Sequence, residues 1–437
     1  VSIWIFLYNF ILVCLLTVSF PLLGLLVLYM KKWRTIFLER IWLKIPEGIN
    51  ENEGCIWIHG LSVGETLSAK PLVDSLSKEL SIPLVFSVST LTGYQTAKKM
   101  FQDVNILVFY FPFDISLSVK KALNAIRPTA VIIIENDIWP NFVWTVKKKG
   151  IPLIWANARV SDRSFSGYYT FRHIIGPFFD CFDLVLAQTN EDKERLSGIG
   201  ICSEKIKRTG NLKFDRDYRA DISENLSKTE LFGIDESKMI FVAGSTHSGE
   251  EEILLDVYER VSSKMAGTKT GILFIIAPRD PSRSSDISEL FEKNGYSTGF
   301  LGDNIRDGRK DIIIVDTLGR LLELYSVCDV AFIGGSLVDL GGHNPLEPAS
   351  FEKPVMFGPY MNDFREIACA IVSAGGGFEV VSADDLSQRL LDLVSDNEKL
   401  AETGKRAFEA SCVEKGVAKA CSNEIFSILK KDYEKYN

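Results

Sequence analysis

From about residue 50 onward, short apolar runs alternate with longer segments whose apolar positions recur at helical spacing. Strands are expected near 55–59, 83–88, 105–111, 130–134, 151–155, 183–187 and 206–210. A second series is expected near 239–243, 271–277, 311–315, 329–333, 353–357 and 377–381. Most of these runs are rich in β-branched residues and lead into Gly, Ser, Asn or Asp. That is the pattern of parallel strands joined by helical crossovers, an α/β fold. Two doubly wound halves fit the length. The polar stretch Asp215 to Lys238 holds the linker, drawn at 221–238. The expected domains are 51–220 and 239–415. A charged helix over 416–437 follows and could pack back across the first domain.

The N-terminal pattern is different. Residues 1–30 carry no charge, and Ile3 to Met30 is long enough to span a bilayer. Lys31, Lys32, Arg34, Arg40 and Lys44 follow. The expectation is a single-pass transmembrane anchor over 1–30, with everything after it on the cytoplasmic side. The basic segment 31–50, with Trp33 and Trp42, would meet anionic lipid head groups. A cleaved signal peptide would place its charge before a shorter apolar run. The alternative is a buried or interfacial helix, and Pro21 and Gly24 are places where it would kink.

Composition narrows the partners. The 437 residues are 46% hydrophobic and 24% charged, as in a folded chain, and the net charge of −8 argues against nucleic acid. None of the eight cysteines forms a C-x-x-C pair, and the four histidines (His59, His173, His247, His343) are far apart in sequence. No local metal motif results.

The richest stretch is GGSLVDLGGHNPLEPASFEKPVMFG, 334–358, after a strand-like run. Gly334, Gly335, Gly341 and Gly342 let backbone approach a ligand. Asn344 suits a helix N-cap, Pro345 the first helical position and Glu347 the third. A strand, a glycine-rich loop and a helix start form a phosphate cradle, and a carboxylate there can reach sugar hydroxyls. The same residues also make an ordinary capping box. Ser62-x-x-Glu65 is likewise a capping box, beside Gly64, or the seat of a general base at Glu65. Glu135 and Asp137 end one strand candidate and Asn157 with Arg159 another. These suit polyol or anionic ligands, or local ion pairs. Lys213, His247, Arg279 and Arg283 add cationic or titratable groups after later strands.

The ordered set SVGE, WPN, NARxSxRS, GNLKFD, STH, APR and GGSxxxxGGHNPLEP resembles the 3-deoxy-D-manno-octulosonic acid (Kdo) transferases of lipopolysaccharide synthesis, from the N-terminal apolar segment to about residue 412. The resemblance implies a GT-B fold, two Rossmann-like domains facing a cleft. It implies CMP-Kdo as donor, a lipid A precursor as acceptor and the cytoplasmic face of the inner membrane, among its lipids. It implies no metal and no other cofactor. Glu65 then takes the acceptor hydroxyl proton, and inversion at the anomeric carbon expels CMP. Arg279, the glycines, Ser336, His343, Asn344 and Glu347 attend the donor, with Lys213 and His247 on its carboxylate or phosphate. Ser62, Gly64, Glu135, Asp137, Asn157 and Arg159 fall on the acceptor side. Asp137, Asp280 and Arg320 depart from the family pattern, and Asp280 could pair with Arg279. The rival readings are a GT-B enzyme using another nucleotide sugar, or a membrane-tethered binding protein on that fold.

Overall fold

The computed structural model describes residues 2–29, 31–41, 54–80, 82–104, 106–220, 222, 227–232, 238–265, 271–301 and 310–436. Much of the basic segment expected over 31–50 and of the linker expected over 221–238 lies outside the described residues. The chain divides into two compact units, Val1–Arg216 with Glu414–Asn437, and Asp217–Val413.

The first unit contains β1 (Cys55–Gly60), β2 (Leu84–Val88), β3 (Leu107–Tyr110), β4 (Pro128–Ile134), β5 (Leu153–Ala158), β6 (Leu184–Ala187) and β7 (Ile206–Arg208). They form one parallel sheet in the order β3-β2-β1-β4-β5-β6-β7. Period-two alternation fills both faces. Trp57, Val131, Ile133, Trp155 and Val185 enter one core, whereas Ile56, Ile58, Ala130, Ile132 and Ile154 enter the other. The C-terminal helix Val417–Tyr436 covers the second of these, placing Val417, Cys421, Ile425 and Leu429 on it at four-residue spacing.

The second unit contains β8 (Met239–Thr246), β9 (Ile272–Pro278), β10 (Thr298–Phe300), β11 (Ile312–Ile314), β12 (Val330–Ile333), β13 (Val355–Phe357) and β14 (Gly377–Glu379). Its sheet is also parallel, in the order β10-β11-β9-β8-β12-β13-β14. The α/β class is as expected. Strand β10 was not expected, because a three-residue strand with Gly299 at its centre leaves no apolar run to read. In each sheet the order reverses beside one strand, between β1 and β4 and between β8 and β12. Ligands of doubly wound sheets gather beyond the carboxyl ends of such strands.

The N-terminal expectation needs correction. Residues Ser2–Tyr29 form one helix, but among the described residues no helix is long and apolar enough to cross a membrane. Two of its polar side chains have partners on the first unit. Asn9 and Asn141 exchange amide hydrogen bonds of 2.8 and 2.9 Å, and Tyr8 bonds the Asp114 carboxylate. This part of the helix is therefore docked on the first unit. Arg40, expected among the head-group cations, is also turned into protein. Its guanidinium donates to the Phe111 carbonyl at 3.0 Å and lies over the Phe113 ring at 4.3 Å, and burial lowers its pKa.

Burial pushes the Asp114 carboxyl up to about 6, although the N–H groups of Asn141 and Phe142 favour its charge. A carboxyl whose folded pKa is raised stabilises the fold in its protonated form. That contribution is complete below the unfolded pKa and is lost as pH rises through about 6. Relative to Asp114→Asn, the wild-type chain should gain about 2–3 kcal/mol between pH 7 and 4. Parallel denaturant titrations check this, and a constant difference across the window would refute it.

Candidate functional site

In the first unit, β1 ends in His59 and Gly60, and the helix Val63–Glu79 begins three residues later. Ser62 is its N-cap. The Glu65 carboxylate turns back to accept the Ser62 N–H at 3.1 Å and the Ser62 hydroxyl, both at Oε2. The capping box is therefore real, and it holds a partly exposed carboxylate beyond the carboxyl end of β1. Gly60 has a role that the motif alone did not reveal. A Cβ there would sit 3.2 Å from the Glu65 Cβ, so a side chain would crowd the carboxylate's seat. At Gly64 an added Cβ would meet only the Ser62 hydroxyl, at 3.9 Å, leaving the helix start open.

Across the β1–β4 crevice lies Glu135. Its Oε1 accepts from Ser68 at 3.1 Å and Asn157 at 3.2 Å, and Lys213 Nζ approaches to 3.4 Å. Glu135 and Asn157 both adopt left-handed backbone, with φ of 58° and 55°. Such strain in non-glycine residues costs on the order of 1–3 kcal/mol and clusters where geometry serves a site. Asn157 is fully buried. It supports the cluster by accepting the Leu212 N–H at its side-chain oxygen and the Gln188 amide at its carbonyl. Lys213, expected with the donor residues, thus lies in the first unit against Glu135. Arg159 is partly exposed and faces the Asp192 carboxylate.

Asp137 was expected to meet the acceptor, and its placement is different. It is buried and accepts from His59 Nε2 at 2.7 Å, Trp139 Nε1 at 2.8 Å and Ser89 Oγ at 3.2 Å. Burial works to raise its pKa, but the bond and charge of His59, with Trp139 and Ser89, hold it below the usual carboxylate value. His59 stacks on Phe111 with centroids 3.8 Å apart and reaches the Ser87 hydroxyl at 2.9 Å. Asp137 thus braces the floor beneath the SVGE turn rather than presenting its carboxylate to a ligand. His59, adjacent to that motif, is the partner sequence reading missed. Asp137→Asn should cost about 1–2 kcal/mol of stability and leave acceptor KM within twofold. Denaturant titration with initial-rate kinetics checks both, and a large KM rise would return Asp137 to the acceptor.

In the second unit the elements converge between β8 and β12. The glycine-rich loop was expected to offer free N–H groups to phosphate, but those nearest β12 are already occupied. The buried carboxylate of Glu250, at the start of the helix Glu250–Met265, accepts from Gly335 at 2.7 Å and from Ser336 and Leu337 at 3.0 Å each. It also takes the His247 N–H at 2.9 Å. An internal anion fills the first part of the cradle. Ser336 is fully buried, and its hydroxyl donates to the Ile333 carbonyl while accepting the Gly358 N–H at 2.7 Å. It therefore braces the loop internally. Gly334 packs on the Ser245–Thr246 backbone, leaving no room for a side chain, and Gly341 and Gly342, at φ of 86° and 74°, lie against the Asp363 and Met361 side chains.

A partly buried stretch of the loop carries His343 and Asn344. His343 Nε2 lies 3.0 Å from His247 Nε2. Burial, then the charges of Arg279 and His247, push the His343 pKa down to about 4. Asn344 donates to the Tyr218 hydroxyl at 2.8 Å and accepts the Leu346 N–H at 3.2 Å. Glu347 lies 3.5 Å from the Asn344 amide. The following helix is only Leu346–Ala349, too short to supply a strong end dipole. The cationic contribution falls to Arg279, which is exposed beside the histidines. Asp280 turns instead to Ser282, whose N–H and hydroxyl it accepts at 3.0 and 2.8 Å. Arg283 forms a two-pronged bond to the buried Glu251, both at 2.9 Å, and Arg320 pairs with Glu323 at 2.6 Å. Among the described residues, no group of three or more potential metal-ligating His, Cys, Asp or Glu side chains comes together.

Residues 36–216 match the family model described as 3-deoxy-D-manno-octulosonic-acid transferase (kdotransferase). A 3-deoxy-D-manno-octulosonic acid transferase of Haemophilus influenzae is 30% identical over 94% of this chain and 96% of its own length. A bifunctional glycosyltransferase/methyltransferase of Fusobacterium nucleatum is 34% identical over 82% of this chain, which spans only 55% of that longer protein. A solved UDP-GlcNAc 2-epimerase from Neisseria meningitidis shares the fold alone. Its TM-score is 0.61 at 13% identity, covering 86% of this chain and all of the epimerase chain. The two parallel sheets and this likeness give a GT-B-like fold. Taken with the near-full-length relative and the matched domain, they show that the chain belongs to the 3-deoxy-D-manno-octulosonic acid transferases and is a glycosyltransferase.

Proposed function

We propose that the chain transfers Kdo from CMP-Kdo to a lipid A precursor with inversion, at the cytoplasmic face of the inner membrane and without a metal. The observation carrying this reading is the Glu65 carboxylate, held partly exposed by Ser62 beside the β1–β4 crevice. The acceptor hydroxyl gives its proton to Glu65 as its oxygen bonds to the anomeric carbon of Kdo. The bond from that carbon to the phosphate oxygen breaks, and CMP departs with the electron pair. Glu135, Lys213 and Ser68 hold the acceptor sugar in the first unit. In the second, Arg279, His343 and Asn344 hold the phosphate and Glu347 the ribose. Ile3, Phe6, Phe10, Leu15 and Val18 are exposed along the first helix and suit contact with membrane lipids.

The test is transfer by purified protein in EDTA, with CMP-Kdo generated in situ and tetra-acylated precursor, read by mass spectrometry. Product heavier by one or more Kdo units is expected, and the increment gives the transfer count. Absence of product beside a working control transferase would turn the reading toward another nucleotide sugar. Arg279→Ala should raise the CMP-Kdo KM roughly 10- to 100-fold, the effect of losing one charge-assisted hydrogen bond. Initial rates against donor concentration check this; an unchanged KM removes Arg279 from the donor site.

A further inference from the structure

His247 and His343 come from opposite sides of the β8–β12 crevice and meet tip to tip. Their Nε2 atoms are 3.0 Å apart, their ring planes are within 1° of parallel, and their centroids are 5.3 Å apart. A centroid separation so much longer than the nitrogen separation places the rings end to end, with one nitrogen aimed at the other. A neutral imidazole carries one ring proton, on either nitrogen. Two facing N–H groups would repel, and two facing lone pairs would leave the contact without a hydrogen bond. One proton therefore lies between the rings.

The surroundings assign the direction. His343 is kept neutral by burial and by Arg279 and His247 beside it. It is the acceptor, and His247 the donor. With its Nε2 proton donated to His343, neutral His247 has its remaining lone pair on Nδ1. A proton added there makes His247 an imidazolium that still donates to His343, now through a charge-assisted bond. A second added proton would set two N–H groups against each other and break the pair. The unit therefore accepts one proton without rearrangement.

We propose that His247 and His343 work as one proton-sharing unit that takes up a single proton when the nucleotide anion binds beside Arg279. This rests on the donor-site reading above. Three charged groups lie around the pair. Arg279 opposes protonation. Glu250 accepts the His247 and Gly335 N–H groups, and Asp363 is packed under Gly341. Gly335 packs against both rings. An anion that pairs with Arg279 cancels the opposing charge and adds an attractive one, so both changes raise the proton affinity of the pair. During transfer the phosphate gains one negative charge as CMP departs, and the imidazolium faces that charge. Its proton stays on His247, while the acceptor's proton goes to Glu65.

The chain has only four histidines, which makes selective nitrogen labelling informative. In the unliganded protein, a nitrogen–nitrogen coupling across the shared proton is expected, and either His247→Gln or His343→Gln should abolish it. Calorimetry of CMP binding near pH 7.5, in buffers of low and high ionisation enthalpy, should show roughly half to one proton taken up per CMP. His247→Gln should reduce that uptake to near zero; His247→Asn repeats the measurement if the first variant folds poorly. Four histidines titrating independently, with no coupling, would overturn the pair. Coupling with CMP bound but no proton taken up would overturn the ligand-linked step and leave the donor site standing. Coupling without any CMP binding by folded protein would overturn the donor site, and this proposal with it.

Discussion

Glu65→Gln should lower the transfer rate by about 10²–10⁴-fold while leaving CMP-Kdo binding nearly unchanged, the loss expected for removing a general base. The substitution is conservative for the fold. Glutamine keeps the side-chain oxygen that accepts the Ser62 N–H, and S-x-x-Q is as good a capping box as S-x-x-E. What it loses is a group that can carry away a proton. Stability and chemistry therefore separate at this residue, and the two readings of the motif make opposite forecasts. If Glu65 only caps the helix, Glu65→Gln transfers at the wild-type rate. Single-turnover rates with saturating donor, alongside thermal unfolding, distinguish them. A companion substitution sharpens the result. Ser62→Ala removes the hydroxyl that holds Glu65 Oε2 but leaves the carboxylate. It should cost about 1 kcal/mol of helix capping and lower the rate by far less than Glu65→Gln.

The sheet architecture was largely legible because both sheets are parallel and buried on both faces, so each central strand is a continuous apolar run such as Ala130 to Ile134 or Ile272 to Ile276. Short edge elements such as Thr298–Phe300 carry no such run. The positions of Glu65 and of the glycine-rich loop followed from where polar motifs fall after strands. Their partners did not. Asp137 lies two residues from Glu135, yet one is buried against His59 and the other faces Ser68 and Lys213. A left-handed turn at Glu135 sends them to different surroundings, and that turn has no glycine to announce it. Lys213 shows the same limit. The resemblance put it with the donor residues, but the fold sets it against Glu135, beside the backbone that Asn157 holds at Leu212. In the N-terminal helix, hydropathy does not register that two polar residues, Tyr8 and Asn9, find buried partners.

Glu250→Ala should be the most destabilising single substitution among the site residues, because the carboxylate serves four backbone N–H groups at once. Each buried N–H left without an acceptor costs about 1–3 kcal/mol. Even if water reaches some of them, the loss should be at least about 4 kcal/mol, a fall on the order of 10 °C for a unit of this size. Glu250→Gln should lie between, since an amide oxygen accepts but the amide nitrogen faces donors. The consequence that separates this account from loss of packing is anion rescue. A vacated nest of N–H groups at the end of β12 is the phosphate cradle that the glycine pattern suggested, now without its internal anion. Millimolar phosphate or sulfate should therefore recover part of the Glu250→Ala melting temperature and leave the wild-type value nearly unmoved. Melting curves with phosphate, sulfate and chloride at equal ionic strength check this. Equal shifts in both proteins would mean that Glu250 supports the loop by packing alone. Selective recovery would establish that an internal carboxylate occupies a site shaped for an anion, which requires the donor phosphate to bind farther along the loop, toward Arg279, His343 and Asn344.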